Sequence, residues 1–177
     1  MGVTEYSIFD SGKAYPRKRK PIAENQGKGG GDTSPKKYHT GYISGVFDLF
    51  HIGHLNMFKR AKEQCDYLIV GVVTDEGVRT LKEKEPFIPF DERIEMVRSC
   101  RYVDEAVEIP LEYHDTRNAW RLYHFDCQFS GSDYTDNPNW LANKKFLEEH
   151  GAEMVFFSYT EQTSSTKIKE LIERGLA

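Results

Sequence analysis

The 177-residue sequence has no apolar run near the roughly 20 residues that a bilayer-spanning helix needs, which excludes an integral membrane helix. No charged start followed by an apolar core is present, so no secretory leader is expected. Cysteine is scarce. Cys65, Cys100 and Cys127 stand far apart, and an odd number cannot close a disulfide framework. There is no Cys-x-x-Cys pair, which removes a cysteine-based zinc site. This usage fits a reducing, cytoplasmic setting. No internal repeat is visible at any period.

A net charge of −4 conceals two unlike parts. Residues 1–40 hold eight Lys/Arg against four Asp/Glu, a balance of +4, and the rest of the chain carries −8. An acidic body excludes nucleic acid as the main partner, because phosphate backbones require a basic face. Any anionic ligand must be held by a few local charges. Residues 1–38 include the basic run Pro16–Pro21 and the glycine-rich stretch Gly27–Asp32, with apolar residues scattered without period. Such a segment cannot bury the surface that ordering requires, so a flexible basic tail is expected ahead of a domain at 39–177. The basic run is read as solvated linker in preference to a nuclear address.

From Tyr38 onward the pattern turns regular. Strands are predicted at Tyr42–Val46, Tyr67–Val73, Val103–Ile109, Cys127–Ser130 and Met154–Phe157. Helices are predicted after His51 (apolar at Ile52, Leu55, Phe58, Ala61 and Cys65) and at Glu92–Cys100, Asp115–Phe125, Asn139–His150 and Ser164–Arg174. In the second of these Asp91 is the expected cap, and Ile94, Val97 and Met96 the inner face. The run Tyr67–Val73 is nearly all apolar, the mark of a strand covered on both faces. Strands alternating with helices predict one α/β domain: a five-stranded parallel sheet with helices on both faces.

In such sheets ligands bind beyond the carboxyl ends of the strands, against helix N-termini. The richest loop there is Gly45-Val46-Phe47-Asp48-Leu49-Phe50-His51-Ile52-Gly53-His54. Two histidines three apart at a helix start can both face one anion, and Gly53 lets a ligand approach the backbone. An ordinary surface pair or a metal site is the competing reading. Trp120 and Tyr123 share a helix face, so core packing is expected of them, not an aromatic cage with Tyr113, Tyr134 and Trp140.

The run Gly45–Leu55 resembles the HxGH signature of the nucleotidyltransferase superfamily, in its cytidylyltransferase branch. Thr74-Asp75-Glu76, Lys82-Glu83-Lys84, Arg101-Tyr102-Val103-Asp104-Glu105, Gly131-Ser132-Asp133-Tyr134 and Thr160–Ile168 are similar, in order, to further segments of that branch. The resemblance covers about residues 40–175, and its pattern is nearest to the glycerol-3-phosphate cytidylyltransferases, with phosphocholine and phosphoethanolamine enzymes next. It implies a Rossmann-like domain and a homodimer. It implies attack of an alcohol phosphate on CTP with release of pyrophosphate, Mg²⁺ bridging the phosphates. On this reading His51, His54 and Lys82 are catalytic. Gly45, Val46, Phe47, Gly53, Lys84, Arg101, Gly131, Asp133, Tyr134, Thr160, Ser164, Ser165 and Thr166 bind nucleotide, with a subunit contact as a further role for Arg101. Asp48 and Asp75 face the acceptor, and no protein metal ligand is expected. Where the branch has an arginine, a glycine and an aspartate, this chain has Tyr159, Gln162 and Ser132; one cationic contact to the triphosphate is therefore missing or is supplied by Lys167 or the tail. An adenylyltransferase of the same superfamily and a silent nucleotide-binding module are the competing classes.

Overall fold

The computed structural model describes residues 35–111, 114–132, 135–158 and 164–175. β1 (Tyr38–Gly45) leads through α1 (Ile52–Lys62) to β2 (Cys65–Val73), then through α2 (Asp75–Lys82) and α3 (Phe90–Arg98) to β3 (Glu105–Ile109). α4 (Thr116–Tyr123), β4 (Cys127–Gly131), α5 (Pro138–Glu149), β5 (Glu153–Phe157) and α6 (Ser165–Gly175) follow. All pairings are parallel, in the order β3-β2-β1-β4-β5. The five-stranded α/β expectation is met.

Alternate residues of the central strands point to opposite faces, and both faces are covered. Ile43, Leu68, Val70 and Val72 pack with Phe58 and Ala61 of α1 and Ile94 and Val97 of α3. Tyr42 and Ile69 pack on the other face with Ala119 of α4 and Leu147 of α5. Trp120 packs edge-on against Phe146 and His150, so it belongs to the α4–α5 seam, as its helical spacing predicts. No described helix is long and apolar enough to cross a membrane.

Several boundaries differ from expectation. β1 starts four residues early, because the Asp126 carboxylate accepts from the His39 and Thr40 amides and extends the strand. Cys65 opens β2 and is not on α1, which ends at Lys62. α2 was not foreseen; the Thr74 hydroxyl caps it by accepting from the Gly77 amide. Asp91 does not cap α3. Pro89 holds that position without a side-chain bond, and Met96 is 53% exposed, off the inner face. β3 begins at Glu105, because Val103 still bonds back to Cys100 in a turn.

The chain runs outward from β1 to β3 and then returns to the far side of β1 for β4. That reversal puts the switch point of the sheet between β1 and β4, and open α/β sheets bind ligands at the carboxyl ends of the strands there. The β1–α1 loop, Val46 to His51, leaves β1 at that end.

Candidate functional site

α1 opens on His51, whose extended backbone and side chain form the cap. The Gly53 amide donates to His51 Nδ1 at 3.0 Å, and the His51 amide reaches His54 Nδ1 at 3.4 Å. Backbone N–H groups can only donate, so both Nδ1 atoms are acceptors and each neutral ring carries its proton on Nε2. The rings stack with centroids 3.9 Å apart. Phe47 and Phe50 flank His54 at 5.3 and 5.4 Å. Burial, then the charge of His51, pushes the His54 imidazole down to about 3, with Asp48 opposing; burial also lowers His51. The pair is therefore two uncharged Nε2–H donors at a helix N-terminus that has no acidic residue in its first turn.

The loop before the pair is strained and tightly held. Phe47 and Leu49 adopt positive φ, 55° and 51°, which bulky side chains rarely do. The Phe47 ring lies over Gly45, where an added Cβ would come within 2.8 Å of it. Between them Asp48 is buried. Its carboxylate accepts from the Phe87 amide at 3.1 Å, the Ile88 amide at 3.0 Å and Lys169 Nζ at 2.9 Å. Burial would raise this carboxyl, but Lys169 and the two amides outweigh it and hold it below its ordinary value.

Arg93, 1% exposed, ties the neighbouring segments together. Its Nη1 donates to the carbonyls of Val46 at 2.5 Å, just past β1, and Val73 at 2.9 Å, the last residue of β2. Nε reaches the Ile88 carbonyl at 2.9 Å, and Nη2 meets Asp75 Oδ1 at 2.6 Å. Asp75, the first residue of α2, also accepts from the Phe90 amide. Both aspartates expected at the acceptor are thus engaged inside the protein. A buried arginine needs an anionic partner and the amides of Phe87, Ile88 and Phe90 need acceptors, and these carboxylates supply both.

Lys82 is the last residue of α2, with Glu83 in left-handed conformation after it. Desolvation, then the charge of Lys169, pulls the Lys82 ammonium below its usual range, against Asp48. These three groups therefore share one neighbourhood. Ser165 donates to the Asp48 carbonyl at 2.9 Å, and Ser164 Oγ accepts from the Lys167 amide at the start of α6. Gly131 ends β4, and the Ser132 carbonyl accepts from Thr135. Lys84 and Thr166 adjoin this group in the chain and are exposed. Arg101 is not brought to it: it is exposed ahead of β3, at the amino edge of the sheet, over the Tyr102 ring. Asp133, Tyr134, Tyr159, Thr160 and Gln162 lie outside the described residues.

Arg93 and Lys169 were missed from sequence. The available signal was an arginine next to Ile94 and four before Val97 on an inner helix face. For Lys169 it was a lysine four after Ser165, on the same side of α6. Among the described residues no three His, Cys, Asp or Glu side chains converge as metal ligands.

The family model described as cytidylyltransferase-like matches residues 42–171. The chain is 36% identical over 134 residues to the FAD synthase of Thermococcus kodakarensis, covering 75% of this chain and 88% of that one. It is 35% identical over 129 residues to the glycerol-3-phosphate cytidylyltransferase of Bacillus subtilis, covering 72% and 92%. In fold it is similar to the lipopolysaccharide core biosynthesis protein of Thermoplasma volcanium, with a TM-score of 0.57 at 21% identity over 71% of this chain and 99% of that one.

Proposed function

The chain belongs to the cytidylyltransferase-like family, and on that premise we propose that it transfers a cytidylyl group from CTP to a small alcohol phosphate, with glycerol 3-phosphate the favoured acceptor. The observation that carries this reading is the His51–His54 pair, two neutral Nε2–H donors stacked at the mouth of α1. An oxygen of the acceptor phosphate attacks the α-phosphorus of CTP in line, and the bond to pyrophosphate breaks. That nucleophile is anionic near pH 7, so no general base is required. The protein's task is to position the reactants and to offset charge building on the α-phosphate. Neutral imidazole donors at a helix N-terminus suit it, because they need no proton exchange to act. Lys82 and Lys84 serve the triphosphate, and the hydroxyl-rich start of α6 serves its terminal phosphates.

The described residues offer no carboxylate cage of their own, with Asp48 and Asp75 already paired. Mg²⁺ would come bound to the nucleotide's phosphates and offset their charge, and none of the steps above runs through it. A homodimer is proposed on the family pattern alone; light scattering that reports a monomer at micromolar concentration would count against it.

A second reading is adenylyl transfer, favoured by the 36% identity to an FAD synthase. Pyrophosphate release decides between them. CTP and ATP are each tested with glycerol 3-phosphate, phosphoethanolamine, phosphocholine and FMN. Release with CTP and glycerol 3-phosphate supports the first reading, and release only with ATP and FMN supports the second. No release from any pair favours a silent nucleotide-binding module.

A further inference from the structure

Asp48 joins three segments that are far apart in the chain. Its own loop is held in strained backbone by flanking residues at positive φ. Its carboxylate takes the amides of Phe87 and Ile88, from the segment that follows Lys82 and Lys84. Its third partner is Lys169 of α6, and four residues earlier on that helix Ser165 donates to the Asp48 carbonyl. The Ile88 backbone is pinned on both sides of its Cα, its amide by Asp48 and its carbonyl by Arg93.

The amides alone are neutral donors. Among the described residues only Lys169 forms an ion pair with this carboxylate, which is 4% exposed. A buried carboxylate deprived of its counter-ion either takes up a proton or turns toward water, and either change loosens its other bonds. The Lys169 ammonium also lies 5.0 Å from the centre of the Phe87 ring, so it meets that segment directly as well as through Asp48.

We infer that Lys169 is a positioning residue: its ion pair with Asp48 locks α6 to the segment that follows Lys82 and Lys84, so that two walls of the phosphate site are set as one unit before nucleotide arrives. The inference rests on the transferase reading for its effect on turnover, but not for its effect on the unliganded protein.

The test compares Lys169→Met, which keeps the packed stem and loses the charge, with Lys169→Arg, which keeps the charge. Exposed Glu170→Gln on the same helix is the control. Amide hydrogen exchange on the full, unliganded chain should accelerate at Phe87 and Ile88 in Lys169→Met by on the order of tenfold or more. Lys169→Arg should restore most of the protection. In pyrophosphate release the Met variant should raise the KM for CTP several-fold, with kcat changing much less and the Arg variant recovering. Unchanged exchange overturns the inference. A raised KM with the two amides still protected also overturns it, because Lys169 would then be a direct phosphate ligand. If wild type releases no pyrophosphate with any nucleoside triphosphate, the transferase reading fails and the exchange result alone decides.

Discussion

Nη2 of Arg93 meets the Asp75 carboxylate at 2.6 Å while Nη1 holds the carbonyls of Val46, just past β1, and Val73, the last residue of β2. One side chain thereby fixes the spacing of two strand ends and of the loop between α2 and α3. Replacing it with Met leaves three carbonyls and a carboxylate without their donor. Each lost buried bond costs about 1–3 kcal/mol, so a total loss of about 3 kcal/mol or more is expected for Arg93→Met. Lys cannot span the same set from a single ammonium, so Arg93→Lys should recover little. Urea unfolding checks both variants, and a loss under about 1 kcal/mol for Arg93→Met would remove the hub role.

Which parts of this were readable in the sequence follows from where the information lies. Strands such as β2 announce themselves because burial on both faces demands an unbroken apolar run. α2 does not, because its eight residues hold one short apolar stripe, Val78 and Leu81, among charges. The histidine pair is readable because strand, loop and helix start are contiguous. The partners of Asp48 and Asp75 come from residues 15 to 121 positions away, and no local pattern encodes such pairing. The cap of α3 misled for another reason: Asp91 has the right chemistry, but Pro89 starts the helix two residues earlier.

Two truncations probe where the folded body begins. Lys36 Nζ donates to the carbonyls of Lys62 and Cys65, closing the end of α1, and Lys37 pairs with Glu153. Removal of residues 1–34 spares these contacts, and removal of 1–37 deletes them. The shorter deletion should leave the melting temperature and CTP turnover close to wild type. The longer one should lose about 1–2 kcal/mol, chiefly from the Lys62 and Cys65 carbonyls left without the Lys36 donor. Equal stability of the two would show that Lys36 contributes nothing, and a collapse of the first would place part of residues 1–34 in the fold or the site.

Acid stability should report the neutral state of His54. Folded, the ring titrates at about 3, against 6.5 for the free side chain. Between those values the unfolded chain binds more protons, so stability is complete above pH 6.5 and falls progressively toward pH 3. The slope for one proton approaches about 1.4 kcal/mol per pH unit. His51, also lowered, adds in the same direction, whereas Asp48 contributes only below its ordinary value of 3.8. From pH 7 to pH 5 wild type should lose about 2 kcal/mol through His54, and His54→Gln should lose distinctly less. Urea midpoints at the two pH values measure this. Identical losses would mean that the ring is not held uncharged.

The histidines themselves give the sharpest test of mechanism. If their Nε2–H groups stabilise the α-phosphate as charge develops, replacing either with Ala removes a donor used chiefly in the transition state. Turnover should fall by on the order of 10²–10³-fold for each, with a much smaller change in CTP affinity. The double variant should lose less than the product of the two, because the stacked rings act on one group. Tautomer adds a finer expectation. Both Nδ1 atoms are occupied by backbone donors, so the working nitrogen is Nε2. Gln places its amide nitrogen near the Nε2 position and Asn places its own nearer Nδ1, so Gln should rescue part of the rate and Asn little. A zinc site at the pair makes a different forecast: tight zinc binding by wild type, and activity abolished by a zinc chelator in excess Mg²⁺. Near-normal turnover in both Ala variants would sink the transferase mechanism, and better rescue by Asn than by Gln would assign the catalytic proton to the other nitrogen.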